Sequence, residues 1–147
     1  MKISTIESLH CNAGWRNFSF LKITTDDGIV GYSEYNQSYG SGGVSSVIEH
    51  LASLIIGLNP LDNDVIFATL YATTRQASGG INAQAIAAIE NALMDVKGKA
   101  LGVPVYQLLG GAMRDKLRLY WSHCGTYRMH ESTANFMGKP TLKSLDD

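Results

Sequence analysis

The chain has 147 residues, of which 12 are basic and 13 acidic, giving a formal net charge of −1, and 45% are hydrophobic. This length predicts one compact domain, and the apolar fraction is too high for a disordered chain. Near-neutral charge argues against nucleic acid or an anionic membrane as the main partner.

Three strands are predicted within the first 35 residues. Residues 2–10 alternate roughly between apolar and polar types, residues 17–25 are rich in aromatic and β-branched types, and residues 29–35 form the returning strand. Asp26-Asp27-Gly28 joins the last two as a hairpin turn, because glycine adopts a positive φ without a Cβ penalty. The pattern therefore predicts a three-stranded antiparallel meander.

From residue 41 the apolar period changes from that of a strand to that of a helix. The expected fold class is therefore α+β, with the meander followed by a bundle of three to four helices. The expected helices are one from about residue 41 to Ile56, a second capped by Asp62 or Asn63 and running to about Arg75, a third capped by Asn82 and running from Ala83 to about Leu101, and a short fourth after Pro104.

The end of the chain predicts less structure. Leu117–Ser122 has the composition of one more strand. Residues 129–147 are rich in Ser, Thr, Lys and Asp and show no sustained period, so we expect a poorly ordered tail or an incomplete element there.

The lack of a recognisable secretory signal and the two isolated cysteines predict a cytoplasmic location. The first residues contain no apolar secretory core, and the most apolar stretch, 51–58, is far below membrane-spanning length. Cys11 and Cys124 are two distant thiols rather than a disulfide framework, so we expect them to be reduced.

No constellation of residues establishes an active site by itself. Gly40-Ser41-Gly42-Gly43 lies where a phosphate loop would lie, but the sixth position of a dinucleotide fingerprint is Ser45 and the following helix leads to another helix. The four histidines lack zinc-ligand spacing. Each cysteine is near a histidine, but proximity in sequence is not a nucleophile–base geometry. We expect a flexible loop at 40–43 and no metal site.

The segment from Asn91 to Gly111 is much more specific. Its sequence, NALMDVKGKALGVPVYQLLGG, resembles the helix pair that closes the N-terminal capping domain of the enolase superfamily, in particular the mandelate racemase and muconate lactonizing enzymes. Met94 replaces the aromatic residue usual in that pattern, and residues 27–34 resemble the second hairpin of the same domain. The glycines and Pro104 also have a purely structural role, and we expect Asp95 to form a cap or an ion pair within the domain.

The resemblance covers residues 1 to about 128 and implies a domain organisation. Residues 1–115 would be the capping domain, residues 116–128 the first strand of a TIM barrel with its rim loop, and residues 129–147 a flexible tail. A barrel takes roughly 200 residues or more. In the family, the Mg²⁺ ligands and catalytic bases lie on later barrel strands, so all of these residues would come after Asp147 here.

The family's chemistry is abstraction of a proton α to a carboxylate, with Mg²⁺ stabilising the enediolate. The resemblance thus implies the substrate-specificity domain of a Mg²⁺-dependent lyase or isomerase, a dehydratase or racemase, that acts on a small carboxylate. It implies no catalytic residue, metal or cofactor in this chain, which is expected to be inactive alone.

Two capping-domain loops would close over the barrel mouth and exclude water. They correspond to about residues 10–17 and 36–43. Arg16 would pair with a substrate carboxylate or hydroxyl, and Trp15 and Tyr39 would wall the pocket. The alternatives are that Arg16 is simply solvated and that Trp15 anchors its loop on the core. The polar character of these loops favours a sugar-acid dehydratase over a muconate-type cycloisomerase. The candidate substrate-binding residues are Trp15, Arg16, Tyr39, His123, Tyr127 and Arg128.

A stand-alone binding or oligomerisation module with the same fold is the competing hypothesis. If the barrel is missing, the face that would have met it, including parts of Tyr120, Trp121 and the two loops, is expected to be exposed, and exposed apolar patches promote association. We therefore expect a dimer or larger homo-oligomer, with neither nucleic acid nor membrane as partner.

Overall fold

The computed structural model describes residues 1–14, 16–38, 42–120, 126–136, 138 and 140–143. The chain divides into two compact units. The first comprises Met1–Cys11 and Phe18–Ala112, and the second comprises Asn12–Asn17 and Met113–Asp147.

The strands β1 (Ile3–Asn12), β2 (Asn17–Thr25) and β3 (Val30–Tyr35) form a three-stranded antiparallel sheet in the order β1-β2-β3. The β2–β3 turn is the expected one, because the Gly28 N–H donates to the Thr25 carbonyl at 3.1 Å and Gly28 has a φ of +89°. A side chain would be strained at that φ. The predicted meander is confirmed.

Four helices follow in the first unit: α1 (Val44–Ala52), α2 (Asn63–Thr73) with a 3₁₀ turn at Arg75–Ala77, α3 (Gly80–Leu101) and α4 (Val105–Leu108). The α+β order of the elements is as expected. In the second unit, a 3₁₀ turn at Thr126–Met129 precedes α5 (Glu131–Phe136).

Two helix boundaries differ from the sequence expectation. Helix α1 ends at Ala52 rather than Ile56, because the chain tightens into turns in which the Leu54 N–H donates to the Leu51 carbonyl at 3.1 Å. Asn82 is not the cap of α3. The helix begins at Gly80, and the Asn82 side-chain amide donates back to the Ala77 carbonyl at 2.7 Å.

The core forms where α3 crosses the sheet. Gly31 of β3 lies against the α3 backbone so closely that a Cβ there would stand 2.3 Å from the Ala92 carbonyl oxygen. Two residues along β3, the Ser33 hydroxyl donates to the Ala88 carbonyl at 2.6 Å. Inward side chains of the sheet and the helices complete the core; the largest include Leu21, Ile23, Ile48, Leu51, Ile66, Leu70, Ile89, Leu93 and Val96.

In the last third of the chain, the predicted elements can be compared with the structure only in part. Residues 117–120 lie outside any helix or strand, and the remainder of the predicted strand Leu117–Ser122 lies outside the described residues, so that strand stays a prediction. The predicted tail contains α5. No helix in the described ranges is both long and apolar enough to cross a membrane.

Candidate functional site

A hydrogen-bonded cluster lies where β1 and β3 end and α1 begins. The two ring nitrogens of His10 approach the hydroxyls of Ser19 at 3.1 Å and Ser45 at 3.5 Å. The Tyr35 hydroxyl lies 2.7 Å from the Ser45 hydroxyl, and the Ser45 backbone N–H donates to Gln37 Oε1 at 2.8 Å. We call these five residues the Ser45 cluster. It ties all three strands to the first turn of α1.

The local sequence explains both the Ser19–Tyr35 pair and the contact between Gln37 and Ser45. Ser19 and Tyr35 are partners in the β2–β3 register, and both are buried on the inward face of the sheet. The residue before α1 is Gly43, which has no side chain to accept from the first N–H groups of the helix. Those groups lack intrahelical partners, so the Gln37 side chain takes the role of the cap.

The cluster is suited to holding backbone in place and offering polar contacts. Its members are an imidazole, an amide and three hydroxyls, with no carboxylate or permanently cationic side chain. The His10 ring also meets the Tyr35 ring edge-on, with centroids 6.4 Å apart. His10 is exposed at this edge, whereas Tyr35 is buried.

Each predicted loop contains an asparagine, near its start, that shapes the backbone. Asn12 Oδ1 accepts from the Gly14 N–H at 2.7 Å, and the Asn12 amide donates to Asn17 Oδ1 at 2.7 Å. In the second loop, Asn36 Oδ1 accepts from the Ser38 N–H at 3.0 Å. Side-chain bonds of this kind, to a backbone two residues on, are typical of Asx turns.

The predicted site residues are only partly within the described ranges. Trp15, Tyr39 and His123 lie outside them, and Tyr127 belongs to the Thr126–Met129 turn with its side chain outside them. The prediction that these four contact substrate is therefore untested.

The two predicted arginines belong to the same compact unit, although one follows β1 and the other lies near the end of the chain. The Arg16 side chain is half-buried, and its carbonyl accepts from the Ala13 N–H at 2.9 Å. Arg128 donates from Nε to the Pro140 carbonyl at 2.9 Å. A substrate contact by either stays a prediction.

Asp95 has the structural role expected of it. Asp95 Oδ2 accepts from the Tyr32 backbone N–H at 2.8 Å and from Lys99 Nζ at 2.7 Å. Lys99 in turn donates to the Val30 carbonyl at 2.7 Å. The carboxylate therefore fastens α3 to β3.

Within the described ranges, no group of three or more His, Cys, Asp or Glu side chains is arranged to hold a metal ion. Magnesium prefers oxygen ligands, of which carboxylates are the main protein source. These residues therefore do not fit a Mg²⁺ site, and no metal-dependent step is assigned to them.

The Ser45 cluster was not predicted as a unit. The Asp26-Asp27-Gly28 turn sets which residues of β2 and β3 face each other, so it was a signal for the Ser19–Tyr35 pair. His10 and Ser45 come from other parts of the chain, and no local pattern relates them to that pair.

Comparison with known proteins gives consistent matches. The chain matches the family model "Mandelate racemase / muconate lactonizing enzyme, N-terminal domain" over residues 9–110. It is 40% identical over 120 residues to D-galactonate dehydratase of Xanthomonas axonopodis pv. citri (strain 306), covering 82% of this chain and 31% of that protein.

Solved structures give the same picture. A "putative L-alanine-DL-glutamate epimerase" of Burkholderia xenovorans, bound to magnesium and fumarate, is 48% identical with a TM-score of 0.85, over 88% of this chain and 32% of that one. An enolase of Agrobacterium radiobacter with bound sodium and L-malate is 30% identical with a TM-score of 0.74, over 82% and 30%. The chain thus spans about a third of the length of each of these three proteins.

Proposed function

Because the chain belongs to the mandelate racemase/muconate lactonizing enzyme family, within the enolase superfamily, and corresponds to its N-terminal domain, we propose that it is the capping domain of a longer Mg²⁺-dependent enzyme. That enzyme abstracts a proton α to the carboxylate of an acid sugar, as a dehydratase or a racemase. The observation that carries the proposal is the family match over residues 9–110, on the same meander and helix order.

The substrate class is supported by the relatives and by the polar edge of the sheet. The Xanthomonas relative is a D-galactonate dehydratase, and the two solved structures hold fumarate and L-malate, which are small carboxylates. The exposed His10 and Asn36, which begins the second loop, supply polar groups in the first unit. Such groups suit a hydroxylated acid better than an apolar one.

The capping domain would contribute specificity by closing two loops, about residues 10–17 and 36–43, over the barrel of the parent. The Ser45 cluster would fix the bases of these loops, since it holds β1, β3 and α1 together where the loops leave them. Arg16 would then face the substrate carboxylate or a hydroxyl, with Trp15 and Tyr39 as pocket walls. His123, Tyr127 and Arg128 would lie near the barrel rim.

The remaining parts of the proposal concern the whole enzyme. Residues 1–115 act as the cap, residues 116–128 begin the barrel, and the residues that hold Mg²⁺ and move the proton follow later in the parent. The 147-residue chain is inactive alone. The parent is a cytoplasmic homo-oligomer.

The first experiment uses the 147-residue chain. Titrating Mg²⁺ into it by calorimetry, and assaying it against a panel of sugar acids, should give neither a binding signal nor turnover. Mg²⁺-dependent turnover by this chain would contradict the proposal that the site lies elsewhere. Reading the source gene beyond codon 147 is the second test. Further βα repeats with acidic residues at strand ends support a cap, and an immediate native stop supports a stand-alone module.

A further inference from the structure

Ser45 contacts both the strand before the second predicted loop and a side chain of that loop. The strand that leads into residues 36–43 ends at Tyr35, and the helix that follows the loop begins at Val44. The Ser45 hydroxyl lies 2.7 Å from the Tyr35 hydroxyl, and the Ser45 N–H donates to Gln37 Oε1 at 2.8 Å. The first turn of α1 is therefore tied to the place where the loop starts.

The same hydroxyl faces the start of the first predicted loop. His10, where that loop begins, has Nε2 3.5 Å from Ser45 Oγ and Nδ1 3.1 Å from Ser19 Oγ. The His10 ring also meets the buried Tyr35 ring edge-on. The five residues of the Ser45 cluster all belong to the first unit, so these contacts lie within one compact part of the chain.

The hydroxyls and the imidazole form a chain in which the role of each group depends on its neighbour. A neutral imidazole has one donor and one acceptor nitrogen, and a hydroxyl has one proton to donate. If the Ser45 hydroxyl donates to His10, it accepts from Tyr35; if it accepts from His10, its proton is available to Tyr35. Removing one member therefore changes the hydrogen bonds that the others form, and such a network can be worth more than its separate bonds.

The start of α1 depends on the second loop in an unusual way. A Ser, Thr, Asp or Asn directly before a helix usually accepts from its first N–H groups, but Gly43 has no side chain to do so. The acceptor of the Ser45 N–H comes instead from Gln37, inside the loop. A displacement of the first residues of the loop would therefore also free the first turn of α1.

We propose that Ser45 is a positioning residue that couples the two loops, so that the start of the first at His10 and the start of the second at Gln37 are held or released together. This rests on the proposed function, in which both loops contact the substrate. It goes beyond that function, because two loops fixed independently of each other would serve it equally well.

Amide exchange in the 147-residue chain tests the coupling. His10 is not the acceptor of the Ser45 N–H, yet His10→Ala should make exchange of that N–H about threefold faster by NMR, because the start of α1 then opens more easily. The Ile66 N–H, which bonds to the Asp62 carbonyl at the start of α2, should exchange at an unchanged rate. Glu49→Gln, on the exposed side of α1, is the control substitution and should leave both rates unchanged.

Kinetics separate positioning from stability. Residues 1–112 of this chain are fused to the part of the Xanthomonas D-galactonate dehydratase that follows its matching region. Ser45→Ala should raise KM for a hydroxylated acid about fivefold, whereas a mere loss of folded protein would lower the rate at saturation and leave KM unchanged. Ser45→Thr, which keeps the hydroxyl, should have a KM close to that of the unsubstituted fusion. Ser46→Ala, at the exposed neighbouring position, should leave KM unchanged.

An unchanged exchange rate of the Ser45 N–H in folded His10→Ala would overturn the coupling, and so would an unchanged KM for Ser45→Ala in an active fusion. If His10→Ala does not fold, Tyr35→Phe removes only the hydroxyl that faces Ser45 and should speed exchange of the same N–H; an unchanged rate there would count equally against the proposal. A folded fusion without turnover would refute the proposed function and not the coupling, which the exchange rates in the 147-residue chain decide separately.

Discussion

The contact between Gly31 and α3 gives the sharpest prediction about the fold. A Cβ at residue 31 would stand 2.3 Å from the Ala92 carbonyl oxygen, 2.6 Å from Val96 Cγ2 and 2.9 Å from the Val96 backbone nitrogen. Two of these three atoms belong to helix backbone, which cannot rotate away as a side chain does. Gly31→Ala must therefore move α3 away from β3.

The expected loss has two parts. Overpacking of a well-packed core costs about 1–3 kcal/mol. The same displacement stretches the bonds from Ser33 to Ala88 and from the Tyr32 N–H to Asp95, each of which contributes about 1 kcal/mol. We expect Gly31→Ala to lower the free energy of unfolding by about 3–5 kcal/mol, a large fraction of the roughly 5–15 kcal/mol typical of a domain.

Urea denaturation of the 147-residue chain, followed by circular dichroism, measures this loss. Gly42→Ala is the matched control, because nothing lies within 4 Å of a Cβ at residue 42 and its φ is not positive. It should change stability by less than about 0.5 kcal/mol. If Gly31→Ala were as mild as Gly42→Ala, the close approach of β3 and α3 would be refuted.

Three further substitutions probe other contacts. Ser33→Ala should destabilise the chain by about 1 kcal/mol, because it removes the buried hydrogen bond to the Ala88 carbonyl. The control Ser46→Ala, on the exposed side of α1, should leave the stability unchanged. Equal urea denaturation midpoints for the two variants would contradict this. Asp95→Ala should cost about 1–3 kcal/mol in the same assay, since it removes the acceptor that the Tyr32 N–H and Lys99 share, and Asp95→Asn, which keeps an acceptor, should cost less. The Thr25 hydroxyl bond holds the pKa of Asp27 below its ordinary value, so Thr25→Val should raise that pKa, as read by NMR titration. Because the pKa of Asp27 is lower in the folded than in the unfolded chain, its ionised form stabilises the fold above the unfolded pKa, and this stabilisation is lost as pH falls through the folded pKa. The corresponding part of the stability difference between the wild-type chain and Thr25→Val should therefore vanish in acid. An Asp27 pKa that is the same in both would refute the bond.

The sequence predicted those parts of the fold that local patterns determine. The Asp26-Asp27-Gly28 turn implies the β2–β3 pairing, and the long apolar period of α3 implies a helix that ends near Leu101. The end of α1 was mispredicted because Ile55 and Ile56 continue its period. There the Ile3 N–H donates to the Leu58 carbonyl at 2.9 Å, and the Gly57 N–H donates to the Ile3 carbonyl at 2.8 Å. Where these hydrogen bonds to the start of β1 form, the chain makes turns instead of helix. No local sequence pattern predicts them, because Ile3 is far away in the sequence.

The site was less predictable for the same reason. The Ser45 cluster joins His10, Ser19, Tyr35, Gln37 and Ser45, which come from three strands, a loop and a helix. Only the Ser19–Tyr35 pair follows from a turn. The resemblance to a family indicated the two loops, but it could not show that Lys99 is the partner of Asp95, because such partners become visible only in the folded chain.

The claim that this chain is the cap of an acid-sugar enzyme is tested most directly by function in place. Residues 1–112, fused to the remainder of the Xanthomonas D-galactonate dehydratase, are assayed for dehydration of a sugar-acid panel with Mg²⁺ and again after chelation. If the chain is such a cap, the fusion should dehydrate at least one hydroxylated acid in a Mg²⁺-dependent reaction. A folded fusion that turns over none of them, beside an active parent enzyme under the same conditions, would contradict it.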